Sequence, residues 1–479
     1  MTQLIGRNPE QAVLRTALNS ADAELVAIYG RRRVGKTFLI REAYRPQLCF
    51  ELVGSHGASL PQQLRNFATA LQSAMKLDIP LAVPGSWQQA FSQLSTFFDR
   101  QRGKQKQAVF FDEFPWLASR RSGFLPAFEH FWNTWASQQP WLIVVICGSA
   151  SAWMIRKVVH HRGGLHNRIT RRICLEPFTL AETRQYLSSR GVDPGLRQTL
   201  ELYMVMGGVP HYLKEIERGR SAAQNIDHIC FAQTGLLRDE FDRLYASLFD
   251  HFERHVAVIR SLARKRCGMT RNEILNKTGR RTGGGTTQIL RELVESGFVK
   301  QMLPFEKSRK ETVYRLADEY SLFYLKWIER NRAGGAGSWL KKQSGPAWKA
   351  WSGYAFENVC IKHAWQLKKA LGISGVDTDE SSWYYRPANT SESGAQIDLL
   401  IERRDDCINL CEMKFSEAEF AIDKRYAAEL RNKREVFRRV TNTRKTLFLT
   451  MVTTYGVRDN VYRQELIANS IEMNVLFVE

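Results

Sequence analysis

The sequence predicts an α/β fold in which a parallel sheet covered by helices is followed by further helical and α/β segments. Up to about residue 175, strand-like and helix-like segments alternate, as they do in parallel sheets with helical crossovers. The apolar run Leu25–Tyr29 precedes a glycine-containing loop, Gly30–Thr37, which leads into helix-forming residues. A second apolar run, Ala108–Phe111, ends in the two carboxylates Asp112 and Glu113. These three observations indicate a sheet whose strand ends carry polar chemistry.

Composition limits the class of protein. The 479 residues include 69 Lys and Arg against 49 Asp and Glu, a formal net charge of +20 that favours a polyanionic partner, nucleic acid or an acidic membrane surface. Hydrophobic residues make up 44%, enough to build cores and to exclude a disordered chain. No apolar run is long enough to span a bilayer, and the N-terminal residues lack the apolar core of a signal peptide. We therefore expect a cytoplasmic protein that does not span a membrane.

The loop after the first apolar run fits the phosphate-binding pattern G-x-x-x-x-G-K-[ST]. In a strand–loop–helix, backbone N–H groups and a helix N-terminus face the phosphates. Lys36 would contact the β- and γ-phosphates of ATP, and the Thr37 hydroxyl would bind Mg²⁺. The alternative is a basic glycine turn. The residues that match the pattern are Gly30, Arg31, Arg32, Arg33, Val34, Gly35, Lys36 and Thr37.

The second strand end supplies the remaining chemistry of such a site. Asp112 would hold Mg²⁺, directly or through water, and Glu113 would polarise the attacking water as a general base. The alternative is a solvated strand end. A third apolar run, Leu142–Cys147, ends before Ser149, which is a candidate either for the site or for a helix cap.

Four features together resemble the MJ-type clade of archaeal and bacterial ATPases, which are related to the STAND and AAA ATPases. They are Leu4–Arg7 with Glu10, the arginine-rich loop, the Phe111–Glu113 strand end, and Gly207–Pro210 followed by Tyr212 and Leu213. The resemblance covers about the first half of the chain and implies ATP as cofactor.

The resemblance also implies roles for further residues. Ser149 would lie near the γ-phosphate, and Pro210 with His211 would approach the nucleotide from a helical lid. A buried structural turn is the alternative for Pro210 and His211. An arginine near Arg168 would stabilise transition-state charge on a neighbouring subunit's ATP, which implies a homo-oligomer. In this chain Asn167 replaces the glycine that usually precedes that arginine, Arg171 and Arg172 compete for the role, and a plain basic surface is an open alternative.

A helix–helix–helix–wing pattern between His251 and Leu316 predicts a winged-helix domain. Thr270 and Glu273 form a capping box for the second helix. The third helix would place Thr286, Thr287, Gln288 and Arg291 where a major groove is read. Phosphate contacts would come from Arg264, Lys265, Arg266, Arg271, Lys277, Arg280 and Arg281. A winged helix that only packs against the ATPase is the alternative.

Near the C-terminus, Asp398 and Glu412-x-Lys414 lie on two strands joined by the turn 403–406. If the hairpin is symmetric about Asp405, Asp398 lies across from Glu412, and Lys414 shares the face of Glu412. Facing carboxylates would bind Mg²⁺, which activates water against a phosphodiester.

This arrangement resembles the PD-(D/E)xK nuclease superfamily, in which Glu357 matches a helical glutamate that many members use. The resemblance implies catalytic roles for Glu357, Asp398, Glu412 and Lys414, with Asp398 and Glu412 on the metal, and DNA as substrate. A degenerate fold used only for binding and a salt-bridged hairpin are the alternatives. Basic residues that would follow a nucleic-acid backbone are Lys424, Arg425, Arg431, Lys433, Arg434, Arg438 and Arg439.

The predicted organisation is a P-loop ATPase core with a helical lid, a winged helix and a C-terminal restriction-endonuclease-like α/β domain. From this architecture we expect an ATPase coupled to a Mg²⁺-dependent DNA nuclease, in defence or in mobile-element processing. The alternative function is a STAND-type nucleotide-dependent switch or scaffold whose C-terminal domain binds nucleic acid without cutting it. The predicted boundaries are 1–175 for the core, 176–249 for the lid, 250–330 for the winged helix, 331–344 for a linker and 345–479 for the last domain. The strands predicted in the last domain are Ile397–Glu402, Ile408–Phe415, Thr446–Val452 and a C-terminal run near Val475–Val478.

Overall fold

The computed structural model describes residues 4–100, 105–119, 121–149, 151–159, 165, 167–249, 251–279, 284–331, 335–387 and 393–479. The chain divides into two compact units. The first contains the residues up to Pro177 with the short segments 248–249 and 295–297, and the second contains the rest. No helix among the described residues is both long and apolar enough to cross a membrane.

The first unit is a three-layer structure around a five-stranded parallel sheet of order β2-β3-β4-β1-β5. Its strands are β1 (Glu24–Tyr29), β2 (Leu48–Val53), β3 (Gln107–Asp112), β4 (Leu142–Gly148) and β5 (Arg171–Cys174). Its helices are α1 (Asn8–Leu18), α2 (Lys36–Ala43), α3 (Leu60–Met75), α4 (Trp87–Arg100), α5 (Phe114–Leu117), α6 (Phe124–Thr134) and α7 (Ser151–Met154), with a 3-10 helix at Ala136–Gln138 and a π-helical turn at Ile155–Val159.

Both faces of this sheet are covered by helices, which explains why the central strands β1, β3 and β4 are continuous apolar runs rather than alternating ones. One face packs against an aromatic core that includes Phe91, Phe111 and Phe128, and the other packs against α1 and α2 through Leu14 and Leu39. The parallel order brings the carboxyl ends of β1, β3 and β4 to one edge, where open α/β sheets bind ligands.

The second unit begins with helices and continues with two small sheets. Its first helices are α8 (Leu180–Ser189), α9 (Gly195–Met206), α10 (Pro210–Leu213), α11 (Ala222–Phe231), α12 (Glu240–Ala246), α13 (Glu253–Leu262), α14 (Arg271–Thr278) and α15 (Gly284–Glu295). A three-stranded antiparallel sheet of order β6-β8-β7 is formed by β6 (Met269–Thr270), β7 (Val299–Met302) and β8 (Val313–Leu316).

The remaining helices are α16 (Glu319–Phe323), α17 (Pro346–Lys362), α18 (Ala364–Ala370), α19 (Lys424–Thr441) and α20 (Val461–Leu466), with 3-10 helices at Arg309–Glu311, Glu329–Asn331 and Met473–Phe477 and a π-helical turn at Tyr324–Ile328. A five-stranded mixed sheet of order β13-β12-β11-β10-β9 contains β9 (Thr378–Tyr385), β10 (Ala395–Arg403), β11 (Cys407–Lys414), β12 (Thr446–Thr453) and β13 (Asn469–Glu472). β9, β10 and β11 pair antiparallel, and β11, β12 and β13 pair parallel.

Three local predictions differ from the structure. The run Val475–Val478, predicted as a strand, lies largely in the 3-10 helix Met473–Phe477, whose buried Met473 and Leu476 are three residues apart, one turn of such a helix. Thr286 is 3% exposed on α15, so it cannot face a groove, whereas Thr287 and Arg291 are exposed.

The predicted linker is the third difference, because the described part of 331–344 is packed. Trp339 is 1% exposed and stacks on Phe231, with ring centroids 5.7 Å apart. The Asp227 carboxylate accepts hydrogen bonds from the Gly337 and Trp339 amides at 2.6 and 2.9 Å. A buried indole and satisfied backbone amides make this segment part of the second unit.

Candidate functional site

The loop between β1 and α2 is shaped by backbone conformations that its glycines allow. Gly35 has a φ of 94°, and Arg33 is also left-handed at 71°. Gly30 has a φ of 153°, and a Cβ there would lie 2.2 Å from the Leu175 carbonyl oxygen. The glycine at position 30 therefore allows the loop to run directly against the chain after β5.

Lys36 is held beneath this loop. Its Nζ donates to the carbonyl oxygens of Gly30 and Arg31 at 2.8 and 2.9 Å, and the residue is 6% exposed. Burial lowers the pKa of the Lys36 ammonium, while the nearby Glu113 and Asp112 oppose that shift. The loop thus carries a positive charge at the N-terminus of α2, where anions are already favoured.

Thr37 and Asp112 meet across the sheet edge. The Thr37 hydroxyl donates to Asp112 Oδ2 at 2.6 Å, although the two residues are 75 positions apart. A hydroxyl and a carboxylate are oxygen donors of the kind that Mg²⁺ takes alongside phosphate oxygens. These two residues therefore fit the metal that the loop predicts.

Glu113 lies beside the third strand end. It has a left-handed φ of 46°, and its amide donates to Asp112 Oδ1 at 2.9 Å. Glu113 Oε2 accepts hydrogen bonds from the Ser149 hydroxyl at 2.8 Å and the Ser149 amide at 3.3 Å. The structure thus brings together Lys36, Thr37, Asp112, Glu113 and Ser149 as the sequence predicted.

The N-terminal segment also contacts the loop. Arg7 is buried, donates from Nη2 to the Val34 carbonyl oxygen at 3.2 Å, and lies 3.8 Å from Glu10. Within the loop, Arg31 is buried, whereas Arg32 and Arg33 are half-buried. Arg7 therefore connects the N-terminal segment to the phosphate loop, and Glu10 lies beside Arg7.

The remaining predicted site residues are the arginines near position 168 and Pro210. Arg168 and Arg172 are both exposed, whereas Arg171 pairs with the buried Glu24 at 3.2 Å. The role of a trans-acting arginine therefore stays a prediction for Arg168, with Arg172 as its competitor. Pro210 begins α10 in the second unit. Its approach to a nucleotide stays a prediction.

The C-terminal hairpin has the predicted register. The observed pairs run from Leu399 with Cys411 to Glu402 with Ile408 and are centred on Asp405. The same register, continued by one residue beyond Leu399, brings Asp398 opposite Glu412. Asp398 Oδ2 accepts a hydrogen bond from the Met413 amide at 3.0 Å. The predicted symmetry about Asp405 is confirmed.

Glu412 is a buried carboxylate with two lysines around it. It is 1% exposed, and its Oε2 lies 2.7 Å from Lys433 Nζ and 3.9 Å from Lys414 Nζ. Its Oε1 has no hydrogen-bond partner among the described residues. Burial, and then the charge of Asp398, raises the pKa of Glu412 to about 7. Lys433, predicted as a nucleic-acid contact, instead neutralises this carboxylate.

Glu357 is engaged by an arginine that the sequence did not point to. Arg315 Nη1 on β8 donates to Glu357 Oε1 on α17 at 2.7 Å, and the side chains are 6% and 14% exposed. Burial raises the pKa of Glu357, Arg315 opposes the rise, and Asp398 adds to it. Arg315 is a buried residue of the short strand β8, and its partner is 42 positions away, so only the fold reveals the pair.

Two carboxylates of this second centre, Glu357 and Glu412, are paired with cations. The described part of the chain contains no group of three or more His, Cys, Asp or Glu side chains placed to hold a metal ion. Three cations, Arg315, Lys414 and Lys433, lie around the acids instead. Cys407 and Cys411 are free and belong to no such group.

Comparison with known proteins leaves the family open. No family model matches the chain. An uncharacterized protein of Methanocaldococcus jannaschii is 22% identical over 410 residues, which cover 84% of this chain and 85% of that protein. Among solved structures, a Walker-type ATPase of Pyrococcus abyssi is 17% identical, with a TM-score of 0.48, 67% of this chain and 96% of that chain covered. The ORC2 protein of Aeropyrum pernix is 15% identical, with a TM-score of 0.43, 72% of this chain and 96% of that chain covered. At these similarities, function has to be argued from the chain's own residues.

Proposed function

We propose that this chain binds and hydrolyses ATP at the loop Gly30–Thr37. The observation that carries the proposal is the 2.6 Å hydrogen bond between Thr37 and Asp112, formed beside Lys36 at the carboxyl edge of a parallel sheet. Two oxygen donors for Mg²⁺ and a buried ammonium then flank one phosphate-sized loop at a helix N-terminus.

Each residue of this site has its own role in hydrolysis. Lys36 exchanges the Gly30 and Arg31 carbonyls for phosphate oxygens and stabilises their charge. Thr37 and Asp112 would hold Mg²⁺, which neutralises charge on the phosphates. Glu113 takes the proton of the attacking water as general base, and its hydrogen bonds to Ser149 fix its orientation. Arg168, exposed, would supply positive charge to ATP on a second copy.

ATP turnover by purified variants tests this proposal. Lys36→Ala and Asp112→Asn should abolish turnover, and Glu113→Gln should retain ATP binding but lose hydrolysis by about 10²–10⁴-fold, the usual contribution of a general base. Lys76→Ala, which removes an exposed lysine, is the matched control and should leave turnover unchanged. If Lys36→Ala turned over ATP like the control, the assignment would be lost.

For the second unit we propose nucleic-acid binding, with DNA as the partner. The order α13, α14, α15 followed by the antiparallel β7–β8 pair supports a winged helix, and the Thr270–Glu273 capping box starts its second helix. Exposed Thr287 and Arg291 lie on one side of α15. This is the function of the switch-type alternative, in which nucleotide state controls a unit that binds without cutting. The ion pairs around Glu357 and Glu412 favour it.

DNA cleavage at Asp398, Glu412 and Lys414 is the second candidate. Its support is the hairpin register and the Glu412 Oε1 that has no described partner. However, Arg315 pairs with Glu357 and Lys433 pairs with one oxygen of Glu412, so these carboxylates do not fit a Mg²⁺ ion in this arrangement. Nicking of plasmid DNA with Mg²⁺ or Mn²⁺, with and without ATP, separates the candidates. Cleavage by wild type that is lost in Asp398→Ala would establish the nuclease. If wild type cleaved no DNA under any of the four conditions, nucleic-acid binding without cleavage would be the remaining function of this unit.

A further inference from the structure

The second unit contains a basic pocket that is lined neither by the phosphate loop nor by the carboxylates Glu357, Asp398 and Glu412. Two of its residues, Arg264 and Arg266, are among the phosphate contacts that the sequence predicts. The pocket has a volume of about 400 Å³ and lies between the C-terminal end of α13, the helical segment 322–330 and α17. Its charged lining includes Arg260, Arg264, Arg266, Lys326 and Arg330, all exposed. The volume is in the range of pockets that bind small molecules.

The positive charges around this pocket are largely uncompensated. Glu329 is the one acid in its lining, and Arg260 already pairs with it at 2.6 Å. Arg264, Arg266, Lys326 and Arg330 have no acidic partner within 4.0 Å among the described residues. Five cations facing one acid repel each other unless an anion enters, so the pocket favours a phosphate-bearing ligand.

The floor of the pocket is apolar and aromatic. Trp351 and Tyr354 from α17 line it together with Leu322 and Leu325. The Tyr354 ring is approached by two guanidinium groups, with Arg266 Cζ 5.5 Å and Arg315 Cζ 4.8 Å from its centroid. Rings and guanidinium planes beside a row of cations are what proteins use to hold unpaired nucleotides.

We propose that this pocket binds a nucleotide unit of single-stranded nucleic acid, with phosphates on the arginines and the base against the aromatic floor. The proposal rests on the nucleic-acid binding proposed for the second unit and names where an unpaired strand is held. A duplex is too wide to enter a cavity of this size, and a concave aromatic floor suits a planar base better than a membrane surface. Tyr354 lies one helical turn before Glu357 on α17, so a strand held here runs beside the carboxylate centre.

Fluorescence anisotropy with a labelled single-stranded oligonucleotide tests the pocket, with ATP omitted so that turnover plays no part. The test variant combines Arg264→Ala and Arg330→Ala. The matched control combines Arg184→Ala and Arg218→Ala, which remove two exposed arginines of the same unit outside the pocket. Both variants lower the net charge by two, and circular dichroism verifies that they fold. A duplex of the same sequence and inorganic polyphosphate, which has no bases, are the comparison ligands.

The pocket variant should bind the single strand at least about fivefold more weakly and lower the salt slope of log K by about 1.4, or ~0.7 for each lost phosphate contact. The control should bind within about twofold of wild type, because distant exposed charges are screened. An equal loss of single-strand affinity in the pocket variant and the control would overturn the proposal. The proposal would also fail if the pocket variant lost as much affinity for polyphosphate as for the single strand, because the pocket would then act only as a charged surface. If wild type bound neither strand form, the nucleic-acid function itself would fail.

Discussion

The buried pair Arg315–Glu357 gives the most quantitative prediction about the second unit. Replacing Arg315 with Met removes the cation but leaves Glu357 at 14% side-chain exposure, near Asp398 and without its 2.7 Å partner. Breaking a buried pair from one side costs about 3–5 kcal/mol, because the remaining charge is desolvated and uncompensated. We expect Arg315→Met to destabilise the second unit by about 3 kcal/mol at neutral pH.

The pH dependence of this cost has a definite sign. Burial already raises the pKa of Glu357 in the wild-type chain, and loss of Arg315 raises it further. A carboxyl group whose pKa is higher in the folded than in the unfolded state favours folding only while it is protonated. Its contribution to the stability of the folded state is lost as the pH rises above the unfolded pKa and through the folded pKa. The penalty of Arg315→Met should therefore be small near pH 5 and grow toward pH 8.

A double-mutant cycle with Glu357→Gln isolates the pair. The double variant should be more stable than Arg315→Met alone at neutral pH and show no rise in cost with pH, since no buried charge remains. Urea unfolding followed by hydrogen exchange of α17 peptides reports this unit rather than the whole chain. Additive losses in the cycle, or a pH-independent penalty for Arg315→Met, would refute the buried ion pair.

Three further predictions concern packing and titration in the second unit. Burial lowers the pKa of His363 from 6.5 to about 4, so the free energy of unfolding should fall by about 3 kcal/mol as the pH drops from 6.5 to 4. In His363→Gln, the free energy of urea unfolding should depend less on pH over this range. Trp339→Ala should lower the free energy of unfolding by about 3–5 kcal/mol, since the buried indole stacks on Phe231. A change under about 1 kcal/mol in the same urea assay would show that residues 335–344 are a loose linker. Gly208→Ala would place a Cβ 1.8 Å from the Phe178 carbonyl oxygen, so thermal unfolding should show a loss of about 3 kcal/mol, and an unchanged Tm would contradict this packing.

Much of the first unit follows from its sequence because its signals are local. The apolar run, the glycine loop and the helix are contiguous, so the conformation around Lys36 is set by neighbours in the chain. The meeting of Thr37 with Asp112 follows from one further inference, that parallel strands end at the same edge of a sheet. The register of the hairpin that contains Asp398 and Glu412 could be predicted from the sequence for a similar reason, because a short turn fixes the pairing of its two strands.

What the sequence did not reveal depends on contacts between distant segments. The sequence did not predict the strand β9 (Thr378–Tyr385), because it is a largely polar edge strand whose one partner strand among the described residues is β10. Arg315 and Lys433 have the sequence appearance of surface cations, and only the fold places them on Glu357 and Glu412. Charge pairing across 42 and 21 positions has no periodic signature, which is why the acids were predicted as free metal ligands.

ATP hydrolysis by Lys36→Ala and Glu113→Gln, measured beside wild type and Lys76→Ala, tests the central claim most directly. We expect wild type and Lys76→Ala to release phosphate at equal Mg²⁺-dependent rates. Lys36→Ala should neither bind nor hydrolyse ATP, and Glu113→Gln should bind ATP without turning it over. Phosphate release that persists unchanged in both Lys36→Ala and Glu113→Gln would contradict this claim.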